Sequence, residues 1–312
     1  EVLPRIDLPL ALESDAIRVD GLRVTRAGAP LIDIASIRGG LDARRDDLRV
    51  HRLVVDSDRG LFSADGRYAP RDNYRTDLVA TAVLPAPFAR PRPRVGLIAR
   101  GDLDHMDLAI GGRAPEPLRA HVGLRGKRWT LRAHTDALDP SLLAGSGEPG
   151  TPLAFSLEAD GQGGAANLQG ELRRGDLHAV VRPSRLRLRE RVLELHPLVV
   201  DVFEGRITAT GRGDFSRPDD GDFRFTVEAT GLRFGGQPAA PDPQPADPAP
   251  AIGVDAALEI AGRSADWTVS GTGDIRRDDL RASIELDGRG DLDRLVLRTL
   301  RAQAPGGALE AN

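Results

Sequence analysis

The chain has 312 residues, with 43 Lys and Arg against 47 Asp and Glu, and no Cys. This balance leaves no basic block able to neutralise a run of phosphates, which excludes nucleic acid as the expected partner. Without Cys there is no disulfide, thiolate metal site or Cys nucleophile. Aromatics make up only 4% of the chain, while Gly numbers 35 and Pro 23, so any core must be aliphatic and many short strands are expected.

In chain order, Leu53-Val54-Val55-Asp56-Ser57 is followed by Gly60, then Phe62, Ala64 and Gly66 in alternation. The spacing predicts a strand, a tight turn and a returning strand, with Asp65-Gly66 as a further turn signal. Pro85 to Pro93 predicts a connection. Asp139-Pro140-Ser141-Leu142-Leu143 predicts one short helical turn, and no amphipathic helix of length follows from any other stretch. Leu153, Phe155, Leu157 and Ala159 alternate with polar residues, and Asp160-Gly161 is a turn signal. Gly161-Gln162-Gly163-Gly164-Ala165-Ala166 imitates a dinucleotide fingerprint, but Leu168, Gly170 and Leu172 after it are strand-like, so a hairpin loop is expected.

Leu186 and Leu188, then Arg189-Glu190-Arg191, then Leu193 and Leu195, predict a second hairpin. Leu198-Val199-Val200-Asp201-Val202, Gly205, Ile207, Ala209 and Gly211 repeat the pattern seen at Leu53. Strict alternation returns in Phe223, Phe225, Val227 and Ala229, in Val254, Ala256, Leu258 and Ile260, and in Leu280, Ala282, Ile284 and Leu286, after which Asp287-Gly288 is a turn signal. Between them, residues 237–251 form a Pro-rich loop or linker. Leu300-Arg301-Ala302-Gln303-Ala304, Gly307, Leu309 and Ala311 give a third copy of the repeat, which stops one residue before its expected final Gly. The chain is therefore expected to be an internal piece of a longer protein.

Motifs that could carry chemistry reduce to turn chemistry. Arg-Gly-Asp occurs at Arg100, Arg174, Arg212 and Arg289, and Gly-x-Gly-Asp at Gly211, Gly271 and Gly288, too far apart to share ions. No two His lie at a short ligand spacing, no nucleophile elbow is present, and the acids fall at wet-face or turn positions. The expectation is a protein that is not an enzyme, with no catalytic residue, metal or cofactor. What remains informative is the apolar face. About 18 to 22 strands without helices to cover them must fold over as a sandwich or curl. A trough lined by small aliphatic side chains would suit acyl chains, at about 0.8 kcal/mol per buried methylene.

The segments Leu193 to Phe215, Asp46 to Gly66 and the run from Leu297 resemble the TamB family, the inner-membrane subunits of the bacterial translocation and assembly module; the related AsmA-like proteins share this style. The resemblance implies an all-β fold, an elongated, curled antiparallel or mixed sheet forming an open trough with an apolar concave face. It implies residues 1–236 as one curled segment and 252–312 as its continuation. It further implies a periplasmic location in a parent anchored in the inner membrane, phospholipid acyl chains as cargo, and an Omp85-type, TamA-like outer-membrane barrel as partner through parts outside this segment. The groove-facing candidates are Leu186, Leu188, Leu193, Leu195, Ile207, Phe223, Phe225, Val227, Leu258, Ile260, Ile284 and Leu286. The alternative is a scaffold that assembles outer-membrane barrels by pairing its strand edges with nascent strands.

Overall fold

The computed structural model describes residues 11–26, 29–44, 46–86, 91–144, 150–216, 221–235, 251–291 and 294–311. Among these the protein is almost entirely β. Its twenty strands belong to one long open sheet that does not close into a barrel. Every strand pair with a defined register is antiparallel and joins chain neighbours, so the parallel component that a mixed sheet would need is absent from these pairs. By internal contacts the chain divides into two units: Glu1–Gly163 with Leu172–Gly175, and Gly164–Glu171 with Asp176–Asn312.

The first unit contains β1 (Leu12–Arg26), β2 (Ala29–Arg44), β3 (Asp47–Ser57), β4 (Gly60–Ala69), β5 (Arg75–Val83), β6 (Arg94–Gly101), β7 (His105–Arg113), β8 (Pro117–Arg125), β9 (Arg128–Leu138) and β10 (Leu153–Gln162). Among the described residues its one helical turn, α1 (Pro140–Ala144), lies at the predicted place. The Asp139 carboxylate caps it, accepting from Ser141 N at 2.9 Å, and Leu142 is 2% exposed beneath it.

Residues of both units contribute to β11 (Ala165–Arg174). The second unit then runs through β12 (Leu177–Arg189), β13 (Val192–Val202), β14 (Gly205–Asp214), β15 (Asp222–Phe234), β16 (Ile252–Arg263), β17 (Asp266–Arg277), β18 (Leu280–Gly290), β19 (Leu295–Ala304) and β20 (Gly307–Ala311). The Pro-rich stretch before Ala251 lies outside the described residues.

The three copies of the internal repeat are three hairpins in the same register. Val55 pairs with Phe62 and Leu53 with Ala64; Val200 with Ile207 and Leu198 with Ala209; Ala302 with Leu309 and Leu300 with Ala311. The hairpin at Glu190-Arg191 also forms, with both residues at positive φ (47° and 78°), the conformation that suits the right-handed twist of the flanking strands. The loop at Gly163-Gly164 joins two strands, as expected.

Three turn signals are corrected. Asp65-Gly66 lies inside β4, Asp160-Gly161 inside β10 and Asp287-Gly288 inside β18. At the first, the reason is a β-bulge on the neighbouring strand. Between the pairs Val50–Gly66 and Leu53–Ala64, β3 holds one residue more than β4. Arg52 takes φ 48°, and its freed N–H donates to the Asp65 carboxylate at 2.8 Å. The second unit repeats the device: Gly231 at φ 65° donates its N–H to the Asp255 carboxylate on β16 at 2.6 Å. These Asp residues thus serve bulges, using the same side-chain acceptance that favours Asp in turns.

Where Pro183 and Pro197 interrupt the ladder of β12 and β13, Ser184 restores it. Its hydroxyl donates to Arg182 O at 2.7 Å and accepts from Val199 N at 2.9 Å, in a site only 2% exposed. Without that oxygen Val199 would leave an unpaired buried donor.

Candidate functional site

Directly paired residues of an antiparallel sheet share a face, so the registers convert alternation along each strand into rows across strands. In the second unit one row runs Leu193, Gly213, Phe223, Gly262, Trp267, Gly290. The next runs Leu195, Gly211, Phe225, Ile260, Val269, Gly288. A third runs Leu198, Ala209, Val227, Leu258, Gly271, Leu286, and a fourth Val200, Ile207, Ala229, Ala256, Gly273, Ile284. Leu188 and Leu186 of β12 extend the first two rows through their pairing with Leu193 and Leu195. All twelve candidates named from the sequence therefore occupy one face, on four adjacent rows.

In the first row a large side chain alternates with glycine. The Trp267 indole lies where a Gly290 side chain would stand, and a side chain on Gly262 would meet Trp267 Cβ at 3.1 Å. Trp267 thus rests over Gly290, the arrangement by which an aromatic protects a strand glycine.

That layer is not sealed. Eleven of the twelve candidates are half-buried, and Leu188 is 53% exposed. The fully buried apolar residues in this unit are few and mostly small or peripheral: Ala166, Val202, Leu232 and Val269. A closed sandwich would have driven its inward-facing Leu, Ile and Phe to full burial.

The first unit has an equivalent face that none of the twelve candidates covers. Leu53, Ala64, Ala80, Leu97 and Ile110 form one row, and Val55, Phe62, Ala82, Val95 and Gly112 the next. Eight of these residues line an apolar hollow of ≈ 250 Å³. The alternation of Leu78, Ala80 and Ala82 was the available signal, but small Ala side chains make it a weak one.

The opposite face is charged. Arg67 meets Asp47 at 2.6 Å, Arg23 meets Asp33 at 2.7 Å, and Asp201 accepts from Arg182 at 2.6 Å and Arg206 at 2.7 Å. Those two guanidinium hydrogen bonds hold the Asp201 carboxyl down at about 2. A carboxyl lowered in the folded state stabilises it above the unfolded value of 3.8, and that contribution disappears as pH falls from 3.8 through about 2. In the intact chain an NMR titration should therefore find Asp201 still ionised at pH 3; a midpoint near 3.8 would contradict the bridged geometry.

A hollow of ≈ 790 Å³ in the second unit is ringed by Arg212 and Arg224 and by Asp214 and Asp222, so its charges balance. Among the described residues no group of three or more His, Asp and Glu could hold a metal. No family model, curated protein or solved structure matches the chain.

Proposed function

We propose that this chain conducts phospholipid acyl chains along its apolar rows, as a periplasmic segment of a TamB-like protein carrying lipid between the inner and outer membranes and supporting outer-membrane biogenesis. The observation that carries this reading is the half-exposure of nearly all the Leu, Ile, Val and Phe side chains on these rows in both units. Contiguous exposed apolar surface of this kind is uncommon on soluble proteins and marks a binding face. Each acyl methylene laid on it contributes about 0.8 kcal/mol, so a chain of lipid length binds without any polar contact. The charged reverse face keeps the sheet in water. Nothing in the mechanism supplies energy; acyl chains slide while headgroups stay solvated. The inner-membrane anchor of the parent and its TamA-like barrel partner belong to the same proposal and lie outside these residues.

The test is a photo-crosslinking amino acid placed at Phe225 or Ile284, with Thr226 and Ser283 as controls on the reverse face. The full chain would be expressed in a bacterial periplasm and recovered without detergent. Lipid adducts at Phe225 and Ile284 but not at the controls are expected. Adducts to outer-membrane proteins instead of lipid would favour the scaffold, and lipid labelling equal on both faces would end the conduit reading.

A further inference from the structure

We propose that the polar face of the β8–β9 hairpin is a docking surface for a bilayer rich in anionic phospholipid. From Pro117 to Thr135 the chain carries Arg119, Arg125, Lys127, Arg128 and Arg132 and no Asp or Glu. Strand pairing turns this run into a two-column array. Arg125 stands directly opposite Arg128, His121 opposite Arg132, and Arg119 opposite His134, with Gly123 and Thr130 in the gap. All six cationic or ionisable side chains alternate with Leu118, Ala120, Val122, Leu124, Leu131 and Ala133, so they share the polar face.

Like charges directly opposite destabilise an antiparallel pair. Arg–Arg neighbours occur elsewhere too, at Arg49 and Arg67, Arg276 and Arg281, and Arg94 and Arg113. On β8–β9 one Arg–Arg pair and two Arg–His pairs share one hairpin, and neither strand supplies an acid between Pro117 and Thr135.

The surrounding acids do not remove the surplus. Asp107 of β7 holds Arg125 at 2.9 and 2.8 Å and lies 3.6 Å from His121. Glu158 of β10 is 3.8 Å from Arg132, Asp136 is 3.3 Å from His134, and Asp160 stands opposite Thr130. Arg119, Lys127 and Arg128 are exposed and make no side-chain hydrogen bond or ion pair with a described residue.

The occupant follows from this layout. The cations span six residues of extended strand, about 20 Å, which is too long for one small anion and suits a surface of many phosphates. Each Lys or Arg near an anionic leaflet strengthens binding about fivefold. This surface is the reverse of the apolar face and does not depend on the conduit reading.

The test is sedimentation of the full chain with phosphatidylcholine vesicles, with and without phosphatidylglycerol. Binding only to the anionic vesicles, weakening as salt rises, is expected. Arg119→Gln, Lys127→Gln and Arg128→Gln together should weaken it about a hundredfold. Arg113→Gln, Arg277→Gln and Arg281→Gln, with the same change in net charge, should leave it within about twofold. Equal sedimentation with both vesicle types overturns the proposal. So does an equal loss in the control variant, or binding to inorganic polyphosphate or single-stranded DNA without binding to vesicles.

Discussion

Gly66→Val is expected to cost more than about 4 kcal/mol and to remove the cooperative unfolding transition of the first unit. Gly66 lies in mid-strand at φ 140°, a conformation that a β-branched residue does not adopt without strain. Its position is fixed from both sides. β3 bulges opposite it at Arg52, and β5 lies so close that an added Cβ would stand 2.8 Å from Leu78 Cα. Both neighbours are backbone, so neither can yield without breaking the ladder. Gly111→Val is the matched control. Gly111 is also in a strand, but an added Cβ there meets nothing within 4 Å, and β-branched residues favour strands. Denaturant titration of the two variants should give a large loss for the first and at most about 0.5 kcal/mol of change for the second. Equal effects would show that Gly66 is not held as described.

Ile284→Asp is expected to reduce lipid capture by the second unit at least tenfold while leaving most of its stability. Ile284 is half-buried and lies on the row of Val200, with Gly273 on one side and Ala302 on the other. A carboxylate there remains reachable by water in the free protein, so the folding penalty is about 1–2 kcal/mol, the loss of partial burial of one side chain. An acyl chain seated on the row would strip that water from an unpaired charge, which costs several kcal/mol. Ser283→Asp places the same charge one residue away on the reverse face and should leave capture within about twofold. Quantifying copurified phospholipid by mass spectrometry for both variants gives the comparison. Matching losses would mean that neither face is specific, and no loss for Ile284→Asp would mean that the row is not where lipid lies.

Much of the strand pattern was legible from alternation, because a side chain on one face of a strand has no choice of face once its neighbours are set. The repeat at Leu53, Leu198 and Leu300 foretold three hairpins of identical register for the same reason. Asp65, Asp160 and Asp287 misled, because Asp before Gly serves a bulge or a strand interior as readily as a turn, and only the partner strand distinguishes them. The first unit's apolar face passed unnoticed because Ala and Gly alternate with polar residues almost without contrast. The basic hairpin was hidden by a balanced total: acids elsewhere cancel Arg119, Lys127 and Arg128 in the sum, though not in space.

By itself, then, the sequence determined that this protein is a sheet with one oily and one charged side, since period-two patterning and the absence of long amphipathic helices allow little else. The tertiary structure alone decided which residues stand beside one another across strands, and whether the oily side is covered. Both depend on the bulges that shift register and on the pairing of whole strands, which the alternation within one strand does not fix.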